Sequence, residues 1–89
     1  MKCIKVFRID CSNGWYQVAK GENGCYFCRD YGFNGYGMGF SKWEFLGKVK
    51  NIEKSDSKKD FMVNFEKTRI VVSLRRIGIN PKYRLPNLG

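Results

Sequence analysis

The sequence has no histidine, only two prolines, and only eight acidic residues against 17 lysines and arginines. Each shortage closes off a class of function. Without histidine the chain lacks the commonest general acid–base group and the commonest metal ligand. Its acids are scattered, and Ser12, Ser41, Ser55, Ser57 and Ser73 have no imidazole to activate them. The sequence therefore reads as a non-enzyme with no catalytic residues and no cofactor. No run approaches the roughly 18 apolar residues of a membrane span. The N-terminus, Met1 to Val6, alternates charge with apolar residues and leads into no apolar signal segment. A cytoplasmic protein with reduced thiols and no membrane partner is expected. The length of 89 residues permits one domain, too small to wall off a large enzymatic cavity.

What remains is charge and aromatic surface. The formal net charge is +9, hydrophobic residues make up 43% and aromatic residues 16%. A chain this apolar folds rather than staying a disordered basic tail. A surplus of positive charge this large calls for a polyanionic or acidic partner.

The organising signal is a recurring dipeptide. Asn13-Gly14, Asn23-Gly24 and Asn34-Gly35 punctuate segments rich in β-formers. Asn-Gly is the favoured centre of a type I′ hairpin turn, because both residues tolerate positive φ. Strands over 2–11, 15–20, 25–33 and 36–45 then form an antiparallel meander. Two-residue turns place Cys11 opposite Tyr16, Val18 opposite Arg29, and Arg29 opposite Phe40. One face would carry Phe7, Ile9, Cys11, Tyr16, Val18, Phe27, Tyr31, Met38 and Phe40. The other would carry Ile4, Val6, Trp15, Ala19, Tyr26, Cys28, Trp43 and Phe45. Two apolar faces need cover, so the sheet is expected to curl into a small barrel or to pack as a sandwich, of SH3 or OB size. A homodimer is a further way to cover such faces.

The second half continues in strands. Residues 48–54 extend the fourth strand or form a fifth, and 55–60 are polar throughout and read as a loop. Phe61, Val63 and Phe65, then Ile70, Val72 and Leu74, alternate as the two strands of a second hairpin. Gly78, Asn80-Pro81 and Pro86 interrupt the remainder of the chain. Residues 1–79 are thus expected to form a single β domain, and 80–89 an irregular basic tail.

Cys3, Cys11, Cys25 and Cys28 could offer four thiolates to zinc, but only Cys25 and Cys28 form a CxxC. Tyr26-Phe27 between them favours a strand, on which positions 25 and 28 point to opposite faces. The four thiols are read instead as small hydrophobes, with no metal.

Glycines at 35, 37 and 39 leave one face of the fourth strand bare, beside aromatic rings that could stack on bases. The pieces Gly35-Tyr36-Gly37-Met38-Gly39-Phe40 and Lys59-Asp60-Phe61-Met62-Val63-Asn64-Phe65 resemble the ribonucleoprotein motifs of cold-shock domains. In that family the two motifs lie on adjacent strands of an OB barrel and stack bases. The first piece departs from the family pattern at its end, and the gap between the pieces is longer. The likeness is taken as convergence of composition, and it implies a small nucleic-acid-binding β protein.

The positive charge is unevenly placed. Eleven of the 17 basic residues lie from Lys48 onward, and no acid follows Glu66. Arg69 and Arg75 share the face opposite Ile70, Val72 and Leu74, and Tyr83 sits between Lys82 and Arg84. Alternate strand residues are roughly 6–7 Å apart, close to phosphate spacing along a strand of nucleic acid. The leading expectation is a non-catalytic nucleic-acid-binding protein, with RNA or single strands favoured. Arg69, Arg75, Arg76, Lys82, Arg84, Lys48 and Lys50 hold phosphates, while Tyr83, Tyr36 and Trp43 stack. The alternative is a small basic inhibitor or regulator that docks on an acidic surface of a larger protein. Short basic chains of this kind are typical of bacteriophage counter-defence or host-takeover proteins.

Overall fold

The computed structural model describes residues 1–11, 14–33, 37–54, 60–73, 77–79 and 82–86. Among these every regular element is a β-strand, and every pairing is antiparallel. The strands are β1 (Cys3–Cys11), β2 (Gly14–Gly21), β3 (Tyr26–Phe33), β4 (Met38–Phe40), β5 (Glu44–Gly47), β6 (Val49–Lys54), β7 (Asp60–Phe65), β8 (Arg69–Ser73) and β9 (Ile77–Ile79). The first sheet runs β4-β3-β2-β1-β9, with β5 also paired to β3; the second runs β6-β7-β8. The expected all-β antiparallel class is therefore present. Of residues 48–54, Val49–Lys54 form a separate strand in the second sheet rather than an extension of the fourth strand.

Register departs from the two-residue-turn expectation in an informative way. At the first hairpin Ile9 faces Tyr16 and Cys11 faces Gly14, a shift of two residues that keeps Phe7, Ile9, Tyr16 and Val18 on one face. At the second, Val18 faces Cys28 and Gln17 faces Arg29, a shift of one. A one-residue shift moves a whole strand's side chains to the opposite face. The cause lies in the turn. Gly24 N–H donates to Gly21 C=O at 3.0 Å and Gly21 N–H to Cys25 C=O at 2.8 Å, with Gly24 at φ +86°. Asn23-Gly24 thus sits at the end of a three-residue loop, a β-turn followed by a left-handed glycine, and not at the centre of a two-residue turn. The Asn23 side chain adds a cap, accepting from Cys25 N–H at 3.0 Å. The third Asn-Gly turn lies outside the described residues; beyond it Tyr31 faces Phe40.

The slip re-sorts the two faces. Phe7, Ile9 and Val18 join Leu46, Val63, Phe65 and Val72 in one buried cluster drawn from both sheets. Phe27, expected with them, lies in a second cluster on the other face with Cys3, Val6, Ala19, Cys25 and Leu85. Phe27, Val18 and Cys3 are fully buried. An apolar cavity of about 240 Å³ lies between the sheets, lined by Phe7, Val18, Tyr26, Ile52, Phe61 and Phe65 among others.

The described part of the C-terminal segment, residues 82–86, covers the second cluster. Met1 and Leu85 exchange backbone bonds of 2.7 and 2.8 Å, Cys3 N–H donates to Tyr83 C=O at 3.4 Å, and Lys2 pairs with Arg84. Leu85 is buried at 3% exposure. The two motif-like pieces do not lie on neighbouring strands: residues 38–40 belong to the first sheet and 60–65 to the second.

Candidate nucleic-acid interface

The outer face of the first sheet is a field of rings and guanidinium groups. Its centre is Arg29. The Arg29 Cζ lies 3.8 Å from the Phe40 ring centroid, 4.2 Å from Trp43 and 4.8 Å from Tyr83. Its Nε–H donates to Gln17 Oε1 at 2.8 Å, and Gln17 Nε2 donates to the Tyr83 hydroxyl at 3.3 Å. Gln17 is itself buried, at 6% exposure. Burial lowers the Arg29 pKa, and Tyr83 and Cys3 oppose that shift.

Three features of the chain assemble this cage. The one-residue slip at the β2–β3 turn puts Arg29 on the face of Gln17 and Trp15. A bulge then breaks the fourth strand. Phe40 faces Tyr31 and pairing resumes at Glu44 with Cys28, so Ser41, Lys42 and Trp43 oppose only Arg29 and Asp30. Ser41 pins the bulge: its N–H donates to Asp30 C=O at 2.8 Å and its Oγ accepts from Asp30 N–H at 2.9 Å. In an unbroken strand residues 40 and 43 take opposite faces; the extra residue brings both over Arg29. Finally the C-terminal segment supplies Tyr83, whose ring centroid is 6.2 Å from that of Trp43.

The rings continue outward from Phe40. Tyr31 lies 5.0 Å from it and Trp15 5.4 Å, both edge-on, and Trp15 stacks on Tyr31 at 5.0 Å with planes 22° apart. Arg8 caps the row, its Cζ 4.0 Å from the Trp15 centroid. Cation–ring contacts and stacked rings are the elements with which proteins hold single-stranded nucleic acid.

The residues singled out from the sequence are not gathered in one place. Trp43 and Tyr83 meet in the cage, with exposed Lys82 and Arg84 on either side of Tyr83. Arg69 is exposed on the outer face of the second sheet, in an ion pair with Glu53 at 2.8 Å. Lys48 and Lys50 are exposed at the start of that sheet. Arg75, Arg76 and Tyr36 lie outside the described residues. Arg29, Gln17, Phe40, Trp15, Tyr31 and Arg8 were not singled out as site residues. The one legible hint was a lone arginine within an aromatic strand, Tyr26-Phe27-Cys28-Arg29-Asp30-Tyr31.

Comparison with protein-family models, curated proteins and solved structures gives no match for this chain.

The thiols divide between faces. Cys3 and Cys25 lie in the cluster under the C-terminal segment, while Cys28 packs against the cluster between the sheets. Burial raises the Cys3 thiol, which donates to Lys5 C=O at 3.3 Å. Burial, with Glu44 and Asp30 adding to it, pushes Cys28 up to about 11. Both shifts, at Cys3 and at Cys28, favour the protonated thiol over the reactive thiolate. The Cys11 side chain lies outside the described set.

Proposed function

We propose that this protein binds nucleic acid without transforming it, single-stranded RNA being the favoured form. The observation that carries this reading is Arg29 held among Phe40, Trp43 and Tyr83 on the face of a chain with net charge +9. A ring beside a guanidinium serves both halves of a nucleotide: the ring stacks on the base and the cation attracts the phosphate. No helix among the described residues is present to enter a major groove, which favours single strands over duplex. Trp43 and Tyr83, with Tyr36, stack on bases. Lys82 and Arg84 beside the cage hold phosphates, and Arg69, Arg75, Arg76, Lys48 and Lys50 extend the positive field. The two sheets closing over their shared cluster make a small sandwich as scaffold. Salt titration tests the reading: affinity for an oligouridylate falls steeply from low to physiological salt, and a flat response overturns it. Replacing Arg75 and Arg76 together weakens binding alike across sequences.

A second reading rests on Met38 and Phe40, which are 61% and 37% exposed on the short strand β4. Exposed apolar side chains beside cations also suit an inhibitor docking on an acidic protein surface. A stoichiometric protein partner that survives nuclease treatment would favour it.

A further inference from the structure

We infer that the first sheet carries a second stacking subsite, formed by Arg8, Trp15 and Tyr31, which takes the nucleotide adjacent to the one held at Trp43 and Tyr83. This rests on the proposed binding of nucleic acid.

Trp15, Tyr31 and Phe40 pack on one another, yet belong to neither buried cluster. Trp43 and Tyr83, by contrast, also help cover the second cluster. Core formation therefore does not account for the Trp15 row. The row runs across the strands, from β1 through β2 and β3 to β4, since Trp15 faces Tyr31 and Tyr31 faces Phe40. It repeats the composition of the Arg29 cage: one guanidinium against one indole, 4.0 Å at Arg8–Trp15 and 4.2 Å at Arg29–Trp43. Phe40 touches both groups and joins them into one track. Two ring–cation units on one face suit consecutive nucleotides of one strand, because every base has a π-face and every linkage a phosphate. The fit to a polyanion rests on Arg8 and Arg29 themselves and on the net charge of +9.

The chain has two tryptophans, one in each unit, so each unit carries its own reporter. Trp43→Phe leaves only Trp15 to emit, and Trp15→Phe leaves only Trp43. Titrating each with oligouridylate, while following binding by anisotropy of a labelled strand, should quench both reporters over the same concentration range. Trp15→Ala should weaken oligouridylate binding roughly tenfold. Trp15→Phe, which keeps a ring, should bind nearly as the parent does. If the labelled strand binds but Trp15 emission does not respond, or Trp15→Ala binds it as tightly as the parent, the second subsite is overturned and the nucleic-acid reading stands. If no oligonucleotide binds at any salt concentration, both fall together.

Discussion

The Arg29 guanidinium stands 4.2 Å from the centroid of Trp43, on a strand whose partner has one residue too many. That contact depends on a turn, a bulge and a terminal segment at once. It ties the chemistry of the outer face to details of backbone register.

Arg29→Ala should act on both binding and stability. It removes the cation from the cage and leaves the Oε1 of buried Gln17 without its donor. An orphaned buried acceptor costs about 1–3 kcal/mol. Urea denaturation should show that loss, and anisotropy a weaker hold on oligouridylate. Arg29→Lys should not restore binding, since an ammonium lacks the planar fork that stacks between rings and bonds Gln17 sideways.

The C-terminal segment should behave as part of the fold. Leu85 is buried under the first sheet, so Leu85→Ala should cost about 2–5 kcal/mol in a urea melt. Removing residues 82–89 should cost more, because Tyr83 leaves the cage and the second cluster opens to water. A chain lacking this segment with unchanged stability would show that the cover is not needed.

Two glycines separate conformational cost from steric cost. Gly47 has φ +83°, and a Cβ there would lie 2.9 Å from the Glu66 Cβ. Gly24 has φ +86° with open space around it. Gly24→Ala should cost about 1–2 kcal/mol, the left-handed penalty alone. Gly47→Ala should cost clearly more, read as a larger drop in urea midpoint at unchanged slope.

Cys28 should make stability fall in alkali. Its folded pKa of about 11 stands above the ordinary 9.0. Below pH 9 both states keep the proton and the thiol adds no pH dependence. Between about 9 and about 11 the unfolded chain releases a proton that the folded chain retains, so stability declines through that window. Cys28→Ala should flatten this part of the pH–stability curve.

Much of the fold was legible in the chain. Alternation in residues 3–11, 60–65 and 69–73, glycine punctuation and the lack of any helical period were enough for an all-β antiparallel protein. Charge placement marked the second half as the basic one, Tyr83 stood out as a ring between two cations, and Trp43 as a stacking candidate. The strand Ile77–Ile79, paired with β1 far away in sequence, was not legible, because a three-residue strand with Gly78 at its centre carries no periodic signal. The outer face was misjudged for a sharper reason. Asn-Gly serves a two-residue turn or closes a three-residue one, and the two differ by one residue of register, which decides the face of everything beyond.

Composition and pattern by themselves thus determined strands, hairpins and an excess of positive charge, since these depend on neighbours in the chain. Only the tertiary structure decided that Arg29 shares a face with Trp15, that a bulge turns Phe40 and Trp43 to the same side, and that Tyr83 returns to complete the cage. Those contacts join distant segments through hydrogen-bond register, a property of pairs of strands that no single strand carries.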